Sequence, residues 1–237
     1  VFNHRHMTNW VIPNALPLDL PDRQLRRCLV VDPYVLGVWL GDGSKESPKI
    51  TSHIDDAPHY EREFSRAKFF CRVQLTSPAA RAASPNTRVI AFSVNDGGDP
   101  PSHTADSAFK RLKAIGVIDN KHVPTDYLRA SPEQRMRLLC GLMDTDGTVG
   151  GGCAVFCNTN RRLIDAVHEL LVSLGAKATI SRKENDYDGY WLVTSTPMFC
   201  PFALPRKIAQ WEETTGKPSI RRLNRTIVGV EEMDDEV

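Results

Sequence analysis

The 237-residue chain has no cysteine pair at C-x-x-C spacing, no apolar run near the roughly 18 residues of a membrane span, and almost no net charge. Each absence removes something. Without a long apolar run there is no transmembrane helix, and Val1-Phe2-Asn3-His4-Arg5-His6 does not begin a signal peptide, so a cytoplasmic location is expected. The six cysteines, Cys28, Cys71, Cys140, Cys153, Cys157 and Cys200, have no partners at zinc-ligand spacing and are expected as reduced, mostly buried thiols. A net charge of +1 speaks neither for nor against nucleic acid, but its distribution is uneven. Glu231, Glu232, Asp234, Asp235 and Glu236 put five acids in the last seven residues and leave the body at +6, which is compatible with phosphate binding. Apolar content of 41% and charged content of 25% are ordinary, and the length suffices for one large core or two smaller ones.

Against that background two stretches say nearly the same thing: Val35-Leu36-Gly37-Val38-Trp39-Leu40-Gly41-Asp42-Gly43 and Leu139-Cys140-Gly141-Leu142-Met143-Asp144-Thr145-Asp146-Gly147. Each is an apolar helical run ending in Asp-Gly, and gapless alignment sets Asp42 opposite Asp146. Gly37 and Gly41, like Gly141 and Thr145, form a small-x-x-x-small stripe that lets two helix backbones approach closely, so the runs are expected to pack on each other. Gly43 and Gly147 suit the left-handed residue that ends a helix. An Asp just before that Gly sits at the negative end of the helix dipole and calls for a compensating charge, which a divalent cation shared by Asp42 and Asp146 would supply. Asp144, opposite Leu40, reads as a structural acid.

The order of elements repeats as well. After the first motif the pattern predicts a strand over 49–53, a helix over 60–69, strands over 70–75 and 88–94, and a helix over 106–115. After the second it predicts a strand over 153–158, a helix over 161–174, strands over 176–183 and 190–196, and a helix over 205–213. The 104 residues from Asp42 to Asp146 suit one small α+β unit each. Residues 76–85 and 95–103 read as mobile loops, 1–27 as Pro-rich and irregular, and 226–230 as a strand.

The paired Asp-Gly helices, the segment Lys121-His122-Val123-Pro124 between them and the helix end Leu170-Leu171-Val172-Ser173-Leu174-Gly175 together resemble the LAGLIDADG homing endonucleases, specifically the endonuclease domain of bacterial inteins. The resemblance covers roughly residues 32–210. It implies an α+β, pseudo-twofold duplicated αββαββα fold, saddle-shaped, with the motif helices at the interface and antiparallel sheets facing DNA. It implies subdomains over 32–130 and 131–215, with 1–31 and 216–237 as the exit from and re-entry into a splicing domain. It also implies a monomer that hydrolyses double-stranded DNA at a long asymmetric site with Mg²⁺ or Mn²⁺. The expected metal ligands are Asp42 and Asp146 with the carbonyls of Gly41 and Thr145, and Lys121 and Lys207 are the expected catalytic lysines. Candidate DNA contacts are Lys49, Thr51, Arg72, Gln74 and Arg88 in one half, and Asn158, Lys177, Arg182 and Lys183 in the other.

Splicing needs an N-terminal Cys or Ser and a C-terminal His-Asn, whereas this chain runs from Val1 to Val237. It is not expected to splice alone, and its partners would be the splicing domain and the host extein. The competing expectations are a non-cleaving nucleic-acid-binding module, such as an RNA maturase or transcription regulator, and a decayed insert that only modulates splicing.

Overall fold

Asp32 and Ser131 each set the start of a motif helix. The computed structural model describes residues 10–23, 29–74, 82, 84–94, 107–184, 189–215 and 224–227. Its first half runs β1 (Val11–Pro13), α1 (Pro33–Asp42), β2 (Lys49–His53), α2 (Ala57–Arg66), β3 (Phe69–Gln74), β4 (Thr87–Val94), α3 (Ala108–Ala114) and α4 (Thr125–Leu128). Its second half runs α5 (Pro132–Asp146), β5 (Gly147–Gly150), β6 (Cys153–Asn158), α6 (Arg161–Ser173), β7 (Ala178–Lys183), β8 (Tyr190–Ser195), α7 (Pro205–Thr215) and β9 (Asn224–Thr226). The Asp32 carboxylate accepts from the backbone N–H groups of Tyr34 at 2.9 Å and Val35 at 3.3 Å, and Ser131 with Gln134 closes a reciprocal capping box on α5. A proline occupies the first turn of both helices.

Every residue of α1 from Pro33 to Leu40 is buried, so this helix is apolar all round and needs neighbours on every side. One neighbour is α5, at a distance only glycine allows. A Cβ on Gly37 would lie 2.4 Å from Leu138 O, 2.9 Å from Leu142 N and 3.0 Å from Gly141 Cα. A Cβ on Gly141 would lie 2.4 Å from Tyr34 O, 2.8 Å from Val38 N and 3.0 Å from Gly37 Cα. Each contact is the other moved by the spacing of the motifs, so the two helices meet about a local twofold. Thr145 fills the space beside Gly41, where a Cβ would come within 2.0 Å of its Oγ1.

The two halves carry equivalent antiparallel sheets, ordered β2-β4-β3 and β5-β6-β8-β7. The first lacks a full counterpart of β5. Only a bridge from Gly43 to Ile50 remains, matching Gly147 opposite Phe156. Pro48, with no N–H to give, stands in the returning segment of the first half. In the second half Gly151 (φ 57°) and Gly152 (φ 73°) make a two-residue hairpin turn between β5 and β6. Gly-Gly was the signal for β5, which the sequence reading left out together with β1 and α4.

Other expectations need correction. Gly43 (φ −77°, ψ 149°) and Gly147 (φ −91°, ψ 150°) are extended rather than left-handed, because the chain passes straight from each helix into pairing with the next strand. Glycine is needed there for space: a Cβ would lie 2.1 Å from Trp39 O and 2.4 Å from Met143 O. The helix expected over 60–69 is α2, three residues earlier, and Lys68 (φ 62°) turns the chain before Phe69 enters β3. Of the described cysteines, all free, only Cys140 is buried; Cys71, Cys153, Cys157 and Cys200 are half-buried. Cys28, most of the loops 76–85 and 95–103, and 228–230 of the expected last strand lie outside the described residues. No helix among the described residues is long and apolar enough to cross a membrane.

The flanks are ordered against the second half. β1 pairs antiparallel with β9, Val11 opposite Thr226. Fully buried Arg135 donates to Ala130 O at 3.0 Å, Ser173 O at 2.9 Å and Leu18 O, which pins the N-terminal flank to α5 and α6.

Gly141→Ala places its Cβ against backbone, which no rotamer change relieves, and should cost about 3 kcal/mol in urea unfolding. Gly150→Ala, with nothing within 4 Å, should cost under about 0.5 kcal/mol. Equal small losses for both would contradict the close approach.

Candidate active site

Asp42 and Asp146 are the last residues of α1 and α5, so the helix pairing delivers both carboxylates to one end of the interface. Both carboxyls are held above the ordinary range, mainly because protein crowds them. Asp42 is pushed up to about 6, with the charge of Asp146 as the next cause. Asp42 is at the same time solvent-exposed, which screens this effect. Asp146 is raised less because Asn158 Nδ2 donates to its Oδ2 at 2.8 Å. Ser52, the equivalent of Asn158 in the first half, gives its hydroxyl to His53 O instead, and no donor among the described residues reaches the Asp42 carboxylate.

The compensating charge expected at these helix ends is present as lysine. Lys121 Nζ donates to Gly41 O at 3.0 Å and Gly43 O at 2.7 Å. Lys207 Nζ donates to Asp144 O and Gly147 O at 2.6 Å, to Met143 O at 2.9 Å and more weakly to Thr145 O at 3.4 Å. Gly41 and Gly43 are the counterparts of Thr145 and Gly147, so the two lysines are equivalent caps on the last carbonyls of the two motif helices. Their exposure differs. Lys207 is buried and held down to about 8 by desolvation, while Lys121 is half-buried, lies 5.4 Å from the Trp39 ring centroid and is lowered by burial too.

Asp144 is structural, as expected, and its role is specific. It accepts the Tyr34 hydroxyl at 2.7 Å and the N–H groups of Ala203 at 3.0 Å and Leu204 at 3.1 Å, fixing the turn that launches α7 with Lys207. The Tyr34 oxygen lies 3.0 Å from Nε2 of His59, whose pKa is lowered by burial. Arg206 clamps Asp56 through two bonds, 2.8 and 2.7 Å, joining α7 to the start of α2 across the halves. Sequence reading missed this network because its members are up to 150 residues apart.

The donor set suits a hard divalent cation. Two carboxylates, one without a hydrogen-bond donor, and the remaining lone pairs of the Gly41 and Thr145 carbonyls are all oxygens. No group of three or more His, Cys, Asp or Glu among the described residues could hold a metal. An ion here therefore takes few protein ligands and leaves positions for water and a phosphate. A cleft of about 440 Å³ opens between the halves beside Gly41, Lys121 and Asn158, with Lys45 and Arg162 also lining it.

The strand residues divide by pleat. Lys49 and Arg72 sit opposite Ala91, and Thr51 opposite Val89, all on one face of the first sheet, while Gln74 pairs with Val89 by backbone register. Arg88 lies on the other face with Ile50 and Ile90, and its guanidinium returns to Pro85 O and Thr87 O at 3.1 and 2.9 Å. In the second sheet Lys183 is on the open face. Its neighbour Arg182 must point oppositely and shares a row with Trp191 and Asn158. Lys177 reaches Asn224 O at 2.5 Å on the C-terminal flank.

Residues 133–228 match the LAGLIDADG-like domain family model. The chain has the α+β LAGLIDADG fold. A curated relative, the replicative DNA helicase DnaB of Mycobacterium intracellulare, is 36% identical over 229 residues, covering 94% of this chain and 33% of that protein. The chain thus spans about a third of the length of the relative it matches. Among solved structures, the homing endonuclease I-DmoI in complex with DNA and calcium is 14% identical with a TM-score of 0.48, over 77% of this chain and 96% of that one. The N-terminal LAGLIDADG domain of DUF199/WhiA is 8% identical with a TM-score of 0.40, over 79% and 84%.

At the LAGLIDADG helix ends, Asp42 keeps its proton to about pH 6 when folded against 3.8 unfolded, so it favours folding below pH 3.8 and that contribution is lost as pH rises through 6. In EDTA, Asp42→Asn should match the parent near pH 4 and melt roughly 2–4 °C higher near pH 8 by calorimetry. A lower melting point at pH 8 would contradict the crowding.

Proposed function

We propose that the chain is a site-specific double-strand DNA homing endonuclease, carried as an intein inside a DnaB-type replicative helicase. The observation that supports it most is the pair of equivalent helix-end carboxylates, each beside a lysine, at a two-helix interface. Asp42 and Asp146, with the carbonyls of Gly41 and Thr145, would hold Mg²⁺ or Mn²⁺. Such an ion supplies polarisation of a phosphodiester oxygen and a more acidic bound water.

The remaining work falls to the chain's own groups. Asn158 orients the Asp146 carboxylate through its 2.8 Å bond. Lys121, the more open lysine, stabilises negative charge growing on a phosphate, whereas Lys207, buried under carbonyls, holds the α5 end in place. A single chain carries both halves, so a monomer suffices and the DNA site is long and asymmetric. Lys49, Thr51, Arg72, Gln74 and Lys183 remain the strand contacts in this reading.

The insert reading rests on two facts. Nearly all of this chain aligns within a third of a longer helicase, and β1 lies beside β9, so residues 11–13 and 224–226 are held together. Subdomains over 32–130 and 131–215 would then be flanked by segments 1–31 and 216–237 that join the splicing domain, in the cytoplasm where the helicase gene is copied. A non-cleaving DNA-binding insert is the second reading, favoured by the burial of Lys207 and by the few cations on the second sheet.

The test is a plasmid carrying the helicase coding sequence joined across the insertion point, incubated with the chain and Mg²⁺ or EDTA. Metal-dependent linearisation should fall at least about 100-fold in both Asp42→Asn and Asp146→Asn. Binding without cutting would favour the second reading, and neither binding nor cutting would refute both.

A further inference from the structure

The open faces of the two sheets differ in chemistry. On the first, Lys49 and Arg72 flank Ala91 of β4 and Thr51 lies beside Val89, with His53 beyond them, so cations border a short apolar strip. On the second, register puts Val155 beside Thr194 and Thr179, and Cys157 beside Leu192 and Ser181. None of these second-sheet residues is charged, all are half-buried or exposed, and α6 packs on the opposite face. Lys183 is the cation of this face among the described strand residues, and Glu184, Asp186 and Asp188 follow it in the sequence.

Resting on the endonuclease reading, we propose that the halves read duplex DNA by different means. The first sheet reads its half of the site by charge and hydrogen bonds. The second reads its half by apolar contact with thymine 5-methyl groups in the major groove. A β-ribbon fits that groove, thymine alone of the four bases presents a methyl there, and the side-chain methyl groups of Val155, Leu192, Thr179 and Thr194 offer it apolar contact. Phosphate attraction then comes mainly from the first half. The uncharged second face gains little from counterion release and depends on shape. The site is therefore chemically lopsided, with thymines concentrated under the second sheet.

Selecting sites from a randomised duplex library with the full chain and Ca²⁺ tests this. Thymine enrichment should fall in one half of the selected site. Replacing those thymines by uracil should weaken binding about fourfold per methyl removed, while uracil in the other half should change it less than twofold. Val155→Ser with Leu192→Ser should abolish the thymine preference and keep binding to the uracil duplex, which also shows that the variant is folded. Lys49→Ala should weaken both duplexes equally and lower the salt slope by about one. Equal uracil effects in both halves, or none, would overturn the proposal and leave the endonuclease reading intact. Recovery of no sequence would overturn both.

Discussion

The contact between Gly37 and Gly141 governs the rest of the structure. Two helix backbones this close cannot slide or separate without losing the contacts that bury the all-apolar α1 against the inner face of α5, so their ends are fixed relative to each other. Because the contact is the same from either side, the residues that end the helices are fixed as a pair. The site at Asp42 and Asp146 is a product of helix packing before it is a product of any local loop.

That placement is electrostatically unfavourable, and the surrounding structure answers it unequally. Burial raises the proton affinity of both carboxylates at the negative ends of the two helices, the charge of Asp146 adds to it at Asp42, and two lysines meet the last helix carbonyls. Asn158 relieves Asp146, and no hydrogen-bond donor among the described residues relieves Asp42. Asp144, Tyr34 and the Asp56–Arg206 clamp hold α7, and with it Lys207, to the opposite half. The duplicated motif thus supplies a symmetric frame, and the unduplicated residues make its two centres different.

Much of this was readable from residues alone. The repeated Asp-Gly helices, their small-residue stripe and the strand-helix-strand order indicate the duplicated α+β fold, whereas Lys121 and Lys207 came from the family resemblance. Three kinds of information were not readable. The backbone angles at Gly43 and Gly147 depend on the strands that follow, since a helix-end glycine is left-handed only when the chain turns away. Face assignment depends on register, which is why adjacent Arg182 and Lys183 take opposite faces of the sheet and why Arg88 lies with Ile50 and Ile90. Long-range polar pairs such as Asn158–Asp146 leave no periodic trace.

The proposed cation site would be shared between the two motif helices. The most direct test is Mn²⁺ binding to the DNA-bound chain, followed by electron paramagnetic resonance in the parent, Asp42→Asn and Asp146→Asn. A shared site predicts that bound manganese falls in both variants. Retention of the full bound signal in either one would contradict it.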